Sequence, residues 1–448
     1  MGKYFGTDGF RGEANVTLTV EHAYKVGRFL GWYFGKDKQD QKAHIVIGKD
    51  TRLSSYMFEY SLVAGLVASG ADAYLLHVTT TPSVSYIARV DEFDCGIMIS
   101  ASHNPYYDNG LKVINGNGHK LEAEIEEKIE AYIDSSEDTI PMATRENIGC
   151  TVDYAIGRHR YIGYLMSLAT RSFKNVKVGL DCANGSSYSV AKGVFDALGA
   201  KTYAIGMEPN GININDGCGS THIENLQKFV IENNLDVGFA YDGDADRCLA
   251  VDEHGNILTG DHIIYMYAKY MKSKGTLKDN TVVATVMSNL GFFKALEAEG
   301  IDCVVTDVGD KNVYAAMVKD DYRLGGEQSG HIILSKFATT GDGLITAIKL
   351  MEVIIASKKS VGTLASGMKE YPQILINVKV ADKNAAMENE EVLAEVKKTE
   401  ELLAGDGRVL VRKSGTEPLV RVMVEAKDNV TCREMAEHLA EFIKNKCN

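Results

Sequence analysis

Three successive stretches of the chain repeat one order of strand and helix patterns, and this repetition is the strongest restriction on the fold. In each stretch short apolar runs alternate with amphipathic helical patterns, and the last run leads into a loop rich in polar residues. Strands that alternate with helices are typical of α/β proteins with parallel sheets. The sequence therefore predicts three similar α/β domains.

The C-terminal part of the chain has a different character. Beyond residue 366 a strand pattern is followed by a charged amphipathic helix over 387–403, and two further strand patterns precede a final helix. This order favours a smaller α+β domain with an antiparallel sheet. We expect four domains around a central cleft, with boundaries 1–153, 154–253, 254–366 and 367–448, which agrees with the size of a 448-residue chain.

Charge and cysteine content narrow the class of function. The formal net charge of −13 at pH 7 argues against broad binding of nucleic acid. The eight cysteines contain no Cys-x-x-Cys pair, which indicates reduced thiols rather than disulfides or a zinc site. No apolar stretch approaches the roughly 18 residues of a membrane span, and no secretory segment is visible. We expect a cytoplasmic protein with no membrane or nucleic-acid partner; its oligomeric state stays open, with a homodimer as one candidate.

The loop after the apolar run Cys95–Ile99 carries the first set of chemically active side chains. It reads Ser-Ala-Ser-His-Asn-Pro from Ser100 onward and continues to Lys112. Ligands of open α/β sheets gather beyond the carboxyl ends of strands, which makes Ser102 a candidate nucleophile and His103 and Lys112 candidate acid–base groups. The alternative is a helix N-cap at Ser102. We expect a helix to begin at this loop, with N–H groups that suit an anion.

The corresponding loop of the second stretch is acidic. Asp242, Asp244 and Asp246 alternate with small residues and precede Arg247. Three carboxylates this close together repel one another unless a cation lies between them, and oxygen ligands favour Mg²⁺ or Ca²⁺. An EF-hand is excluded because Arg247 stands where that loop needs glycine. The spacing predicts a divalent-metal site, with a solvated acidic turn as the alternative.

Three further loops are rich in glycine and polar side chains. The loop Gly325–His331 carries a carboxylate, an amide, a hydroxyl and an imidazole, which suit the hydroxyls of a sugar, although an ordinary turn is an equal alternative. Arg412–Arg421 carries two arginines, a lysine and two hydroxyls, which suit a phosphate; the alternative is a solvated basic turn. Near the N-terminus Arg11 lies between glycines, either in a surface turn or where a ligand approaches the backbone.

Taken together and in this order, these loops resemble the motifs of the α-D-phosphohexomutase family over essentially the whole chain. The resemblance implies a mutase that transfers phosphate through a phosphoserine at Ser102 and a hexose 1,6-bisphosphate. It implies Mg²⁺ held by Asp242, Asp244 and Asp246 together with a phosphate oxygen on Ser102. The positions implied for acid–base or charge-stabilising work are Arg11, Lys112 and His331, with Arg247 beside the metal. The positions implied for binding sugar or phosphate are Glu327, Ser329, Arg412, Ser414, Gly415, Thr416 and Arg421.

The choice of sugar depends on fewer residues. Gln328 and Ser100 resemble the branch of the family that acts on hexosamine phosphates, and an amide near a 2-amino group makes Gln328 a candidate substrate-binding residue. We expect interconversion of glucosamine 6-phosphate and glucosamine 1-phosphate for cell-wall precursors, with glucosamine 1,6-bisphosphate or another phosphoryl donor to prime Ser102. Two alternatives stay open. One is a phosphomannomutase/phosphoglucomutase of the same family, and the other is a non-catalytic regulator that binds sugar phosphates.

Overall fold

The computed structural model describes residues 2–6, 8–38, 41–414 and 419–447, and the chain forms two compact units. The first unit comprises residues 1–286 and 301–365, and the second comprises residues 287–300 and 366–448. Within the described ranges, none of the helices combines the length and the apolar character that a membrane crossing requires.

The first unit begins with a seven-stranded sheet in the order β1-β2-β6-β5-β3-β4-β7. Its strands are β1 (Phe5–Gly6), β2 (Gly9–Glu13), β3 (His44–Lys49), β4 (Asp72–Val78), β5 (Cys95–Ile99), β6 (Asp108–Asn115) and β7 (Thr151–Asp153). Successive side chains of a strand point to opposite faces. Ile45 and Ile47 accordingly join one buried cluster while Val46 joins another, so the sheet carries a core on both faces.

Two smaller sheets complete the first unit. One has the order β12-β11-β10-β8-β9, and the other has the order β14-β13-β15-β16. The strands of the former are β8 (Lys177–Asp181), β9 (Lys201–Ile205), β10 (Val237–Tyr241), β11 (Cys248–Asp252) and β12 (Ile257–Leu258). The strands of the latter are β13 (Thr281–Thr285), β14 (Asp302–Thr306), β15 (Leu324–Gly326) and β16 (Ile332–Leu334).

Helices separate most of the parallel strands of the first unit. They are α1 (Val20–Gly35), α2 (Ser55–Ala68), α3 (Thr81–Val90), α4 (Ala123–Asp134), α5 (Ala155–Leu168), α6 (Ala191–Ala197), α7 (Glu224–Glu232), α8 (Gly260–Ser273), α10 (Asp310–Asp320), α11 (Gly343–Ser357) and α12 (Val361–Ala365).

The three sheets share one strand order, which confirms the repeat that the sequence predicts. The shared parts are β6-β5-β3-β4, β11-β10-β8-β9 and β16-β15-β13-β14. The predicted parallel strands are present, and each repeat adds one strand that is not parallel. The fourth strand of each repeat turns back and pairs antiparallel with the third, so the sheets are mixed. The four domain boundaries and the central cleft stay predictions.

The second unit is an α+β layer, as predicted. Its antiparallel sheet has the order β17-β19-β18, and valines of the central strand pack on the buried face of the last helix. Its elements are α9 (Leu290–Ala298), β17 (Gln373–Lys379), α13 (Lys383–Glu388), α14 (Glu390–Leu402), β18 (Gly407–Lys413), β19 (Leu419–Ala426) and α15 (Asn429–Cys447). The single helix expected over 387–403 is two helices, because Asn389 ends α13 and caps α14 by accepting from the backbone N–H of Glu391 at 2.9 Å.

Candidate active site

The three polar loops of the first unit occupy equivalent positions in the three repeats. Each connects the third strand to the antiparallel fourth: residues 100–107, 242–247 and 327–331. The first two loops touch, since a Cβ on Gly243 would come within 2.5 Å of the Ser102 carbonyl oxygen. The second and third are joined where the N–H of Cys248 donates to the carbonyl of Gly330 at 3.0 Å. The repeated topology therefore brings loops that are distant in sequence to one place.

Ser102 is buried, with 1% of its surface exposed. Its hydroxyl donates to Asp242 Oδ2 at 2.6 Å and lies 3.4 Å from His103 Nδ1. The expectation that a helix begins at this loop is wrong, because the chain continues into β6. Ser102 is therefore not a helix N-cap, and the loop offers no helix N-terminus to an anion. A Cβ on Gly110 would meet the Ser100 carbonyl at 2.6 Å, so this glycine allows the two strands to approach rather than ending a strand.

Asp242, Asp244 and Asp246 are all buried, and each offers a carboxylate oxygen within 4.8 Å of those of the other two. Burial, together with the charges of Asp246 and Asp244, holds the pKa of Asp242 above its usual range. Asp244 Oδ1 is buried and accepts no hydrogen bond from the residues that the structure describes. Buried carboxylate oxygens without donors fit a hard divalent cation, so the donor set suits Mg²⁺.

Lys112 supplies positive charge to this acidic cluster from β6. Its Nζ lies 2.7 Å from Asp244 Oδ2, 3.2 Å from Asp246 Oδ2 and 3.0 Å from Asp8 Oδ2. Burial opposes the charge of Lys112, but Asp244, Asp246 and Asp8 hold its pKa well above the usual value. The same lysine therefore neutralises the candidate metal site and ties the N-terminal segment to it.

Two arginines and a histidine lie on the Ser102 side of the cluster. Arg247 donates from its backbone N–H to Asp242 Oδ1 at 3.2 Å, and its Nη1 lies 3.1 Å from His103 Nδ1. Burial, followed by the charges of Arg247 and Arg11, lowers the pKa of His103 to about 4. Arg11 donates to Asp8, while its buried Nε has no hydrogen-bond partner in the described part of the chain.

His331 faces the acidic cluster from the third repeat. Its Nδ1 lies 3.8 Å from Asp246 Oδ1 and its Nε2 lies 3.7 Å from Asp310 Oδ2. Burial opposes a charge on the ring, but Asp246, Asp310 and Glu327 raise the pKa of His331 to about 9. The N–H of Gly341 donates to Nε2 at 3.0 Å, a contact that requires a neutral ring with its proton on Nδ1. The charged ring, which the raised pKa favours at neutral pH, carries a proton on Nε2 and cannot accept this hydrogen bond.

The predicted sugar loop lies between β15 and β16. Glu327 is half-buried and its Oε1 accepts from the N–H of Gly309 at 2.9 Å. Gln328 is half-buried and Ser329 is exposed. The structure thus places one carboxylate, one amide and one hydroxyl on the same short loop that carries His331.

The predicted phosphate loop belongs to the second unit. Arg412 and Arg421 are Cα partners on β18 and β19, so their side chains leave the same face of the sheet side by side. The backbone N–H of Ser414 donates to the Leu419 carbonyl at 2.9 Å and closes the hairpin end. Gly415 and Thr416 lie outside the described residues. The hairpin therefore presents two positive charges from one face of the sheet.

Several residues near Ser102 and the acidic cluster escaped the sequence analysis. They are Asp8, Asp50, Arg52, Lys120, Asn215 and Asp310. Lys120 Nζ lies 3.0 Å from Asp8 Oδ1 and 2.8 Å from Asp310 Oδ2, which links the first repeat to the third. A polar cluster after a strand is the signal that identified the other loops. Asp50 and Arg52 directly follow β3, so the same signal could have identified them.

Comparison with known proteins places the chain among phosphohexomutases. Four family models match, all described as phosphoglucomutase/phosphomannomutase. They are its alpha/beta/alpha domain I over residues 2–139, domain II over 159–255, domain III over 259–371 and the C-terminal domain over 375–442.

Curated relatives match over the full length. The phosphoglucosamine mutase of Lachnospira eligens is 64% identical over 446 residues, and that of Bacillus subtilis is 51% identical over 446 residues; both alignments cover 100% of this chain and 99% of the relative. Among solved structures, a phosphoglucomutase/phosphomannomutase family protein from Burkholderia thailandensis has a TM-score of 0.80 at 21% identity and covers 100% of this chain and 99% of its own.

A second solved structure is Aspergillus fumigatus N-acetylphosphoglucosamine mutase in complex with GlcNAc-6P and magnesium. It has a TM-score of 0.72 at 18% identity and covers 99% of this chain and 96% of its own. At such identities the two solved structures support the fold, while the curated relatives and the family models support membership. The chain belongs to the phosphoglucomutase/phosphomannomutase family of phosphohexomutases.

Proposed function

We propose that this chain interconverts glucosamine 6-phosphate and glucosamine 1-phosphate, with Ser102 as the residue that donates and recovers the phosphoryl group. The observation that carries the proposal is the position of the Ser102 hydroxyl, 2.6 Å from Asp242 in a group of three buried carboxylates. The choice of glucosamine is supported by full-length relatives, 64% and 51% identical, that are phosphoglucosamine mutases.

Asp242, Asp244 and Asp246 would hold Mg²⁺, together with a phosphate oxygen on Ser102. Bound there, the ion supplies positive charge to the transferring phosphoryl group. Lys112 and Arg247 add positive charge beside the same acidic group. Because phosphoryl transfer depends mostly on positioning and charge neutralisation, these residues account for most of the catalysis we propose.

The reaction has two transfers. In the first, the bond from phosphorus to Ser102 Oγ breaks, a bond to O1 of glucosamine 6-phosphate forms, the O1 proton passes to a base and Oγ takes up a proton. In the second, the bond from phosphorus to O6 of glucosamine 1,6-bisphosphate breaks and a bond to Ser102 Oγ forms. The Oγ proton passes to a base, O6 takes up a proton, and glucosamine 1-phosphate leaves. Arg11, His103, Lys112 and His331 are the candidates for handling the proton or stabilising charge. Glucosamine 1,6-bisphosphate or another phosphoryl donor would prime an unphosphorylated Ser102.

The remaining assignments complete the substrate site. Glu327, Gln328 and Ser329 would contact the sugar, and Arg412, Ser414 and Arg421, with Gly415 and Thr416, would bind the phosphate that does not react. Bidentate contacts from arginine suit a phosphate in either orientation of the sugar. A cytoplasmic location and a homodimer stay predictions of the sequence.

Turnover of three substrates by the purified chain tests the choice of sugar. Glucosamine 6-phosphate should be converted with a higher kcat/KM than glucose 1-phosphate or mannose 1-phosphate. Better turnover of either neutral sugar would instead establish a phosphoglucomutase or phosphomannomutase. Ser102→Ala should abolish turnover, whereas Ser167→Ala, which removes an exposed hydroxyl from α5, should not.

A further inference from the structure

We propose that Asp50, Arg52 and Asn215 are positioning residues that hold Ser102 in the orientation needed for phosphoryl transfer. The proposal rests on the proposed function, in which Ser102 carries the phosphoryl group. We call these three residues the serine clamp. They come from two repeats of the first unit, because Asp50 and Arg52 follow β3 and Asn215 lies between β9 and α7.

Ser102 has a backbone conformation that needs external support. Its φ is 53°, in the left-handed region that residues other than glycine and asparagine rarely adopt. Such a conformation is strained and persists only where the surroundings hold it. A change of this φ would redirect Cβ, and with it the hydroxyl that lies 2.6 Å from Asp242.

The N–H side of Ser102 is held through Ser100. The Ser102 N–H donates to Ser100 Oγ at 3.0 Å, and Ser100 Oγ donates in turn to Asp50 Oδ2 at 2.6 Å. Asp50 is fully buried and also accepts from Arg52 Nε at 2.9 Å and from Ser55 Oγ at 2.9 Å. The carboxylate therefore has a fixed position, and it fixes the hydroxyl that orients Ser102.

The carbonyl side of Ser102 is held from two directions. Arg52 Nη2 donates to the carbonyl of Ser102 at 2.8 Å and to that of Asn104 at 2.9 Å. Asn215 Nδ2 donates to the same two carbonyls at 2.9 Å and 3.1 Å. Asn215 is itself 6% exposed and belongs to the repeat that carries the acidic loop. The clamp thus fixes Ser102 relative to the three carboxylates.

A neighbouring ion pair shows what a purely structural role looks like. Lys49 ends β3 and pairs with Glu59 of α2, and both side chains are as buried as those of Asp50 and Arg52. In the described contacts Lys49 reaches Glu59 and the ring of Tyr56, 3.9 Å away, and neither group belongs to the serine loop. A buried ion pair adds little net stability over apolar residues of the same size. The ion pair between Asp50 and Arg52 differs from it, because Arg52 also donates hydrogen bonds to the backbone carbonyls of Ser102 and Asn104.

Two variants and a control test the clamp. Arg52→Lys keeps the charge beside Asp50 but cannot hold two carbonyls as a planar fork. Asn215→Gly removes the amide without strain, because Asn215 has a φ of 57° that glycine adopts readily. Glu59→Gln breaks the neighbouring buried pair and controls for loss of stability. The measurements are kcat, KM, the melting temperature and the rate of phosphoryl transfer from glucosamine 1,6-bisphosphate to Ser102, followed by quench and mass spectrometry.

Both clamp variants should slow transfer to Ser102 and lower kcat by about 10- to 100-fold, with KM changed less than about threefold. Glu59→Gln should lower the melting temperature at least as much and leave transfer near the wild-type rate. Wild-type transfer rates in both clamp variants, or an equal slowing in Glu59→Gln, would overturn the clamp while leaving the proposed function intact. Absence of transfer to Ser102 in the wild-type protein would overturn both.

Discussion

Gly243 of the acidic loop lies against the backbone of Ser102, where a Cβ would come within 2.5 Å of the serine carbonyl oxygen. Heavy atoms this close overlap, so Gly243→Ala must separate the two loops. Because a shift of about 1 Å in a reacting group can cost about 100-fold in rate, we expect kcat to fall by that order. Steady-state kinetics with saturating Mg²⁺ would measure the effect.

Gly163→Ala is the matched control for Gly243→Ala. Gly163 lies within α5 of the same unit, and nothing would lie within 4 Å of a Cβ built on it. Alanine inside a helix stabilises by roughly 0.5–1 kcal/mol over glycine. This variant should therefore keep its activity and melt slightly higher. Full activity in Gly243→Ala would show that the contact between the two loops is unimportant.

Asp242→Asn tests whether repulsion among the three carboxylates is relieved by a cation. Without metal, the substitution should leave the melting temperature unchanged or higher, because burial and the charges of Asp246 and Asp244 raise the pKa of Asp242 and disfavour its charged form. Mg²⁺ at about 100 times its dissociation constant should stabilise the wild-type chain by about 2.7 kcal/mol. The variant should gain much less.

Asp196→Asn serves as the control for the metal prediction, since Asp196 lies on the surface of α6 and pairs with Lys192. Its response to Mg²⁺ should match that of the wild-type protein. Equal stabilisation of Asp242→Asn and wild type by Mg²⁺ would argue against a metal site at these carboxylates.

The sequence predicted the repeat and the three loops because the relevant signals are local. An apolar run followed by a polar loop is visible without knowledge of the fold, and it identified Ser102 and the acidic loop. The strand β6 was missed for a physical reason. Most of its residues are buried on both faces, so no alternation of apolar and polar residues marks it. Gly110, a residue type that is unfavourable in strands, is needed there for a close strand contact.

The missed site residues other than Asp50 and Arg52 carry no such local signal. Asp8, Lys120 and Asp310 are single charged residues in separate segments. Only the folded chain places both carboxylates within 3.0 Å of Lys120 Nζ. Asn215 belongs to the same class, because its amide reaches the serine loop from the second repeat. The positions of these residues depend on how the repeats pack together, and local sequence patterns do not predict that packing.

Arg421→Met should weaken binding of phosphate without unfolding the second unit. Arg421 and Arg412 lie side by side on β19 and β18, and one charge-assisted hydrogen-bonded contact is worth about 1.5–3 kcal/mol. We expect KM for glucosamine 6-phosphate to rise at least about 10-fold. Arg408→Met, which breaks an ion pair with Glu425 at 2.8 Å in the same sheet, should lower the melting temperature and leave KM near the wild-type value. The reverse pattern would move the phosphate site elsewhere.

His262 makes folding sensitive to acid. Its Nδ1 accepts a hydrogen bond from the backbone N–H of Thr259 at the start of α8, with 3.2 Å between the two nitrogens. Burial lowers the pKa of His262 from 6.5 to about 4. A lowered histidine pKa means that the unfolded chain binds the proton more readily, so stability is lost as the pH falls from about 6.5 toward 4. Between pH 7 and pH 5 the contribution of His262 to this loss should be about 2 kcal/mol.

His262→Gln should reduce this pH dependence by the share that His262 contributes, because a glutamine at the third helical position also accepts from the N-cap N–H. Denaturant unfolding of both proteins at the two pH values would measure it. Parallel losses of stability in the variant and the wild type would exclude His262 as the cause.

Phosphorylation of Ser102 is the most direct test of the mechanism. Peptide mass spectrometry of the purified chain, before and after incubation with glucosamine 1,6-bisphosphate and Mg²⁺, locates any transferred phosphoryl group. We predict a single phosphate on Ser102 that disappears when glucosamine 6-phosphate or glucosamine 1-phosphate is added in excess. An unmodified Ser102 under both conditions, in a preparation that still interconverts the two sugar phosphates, would contradict the phosphoserine mechanism.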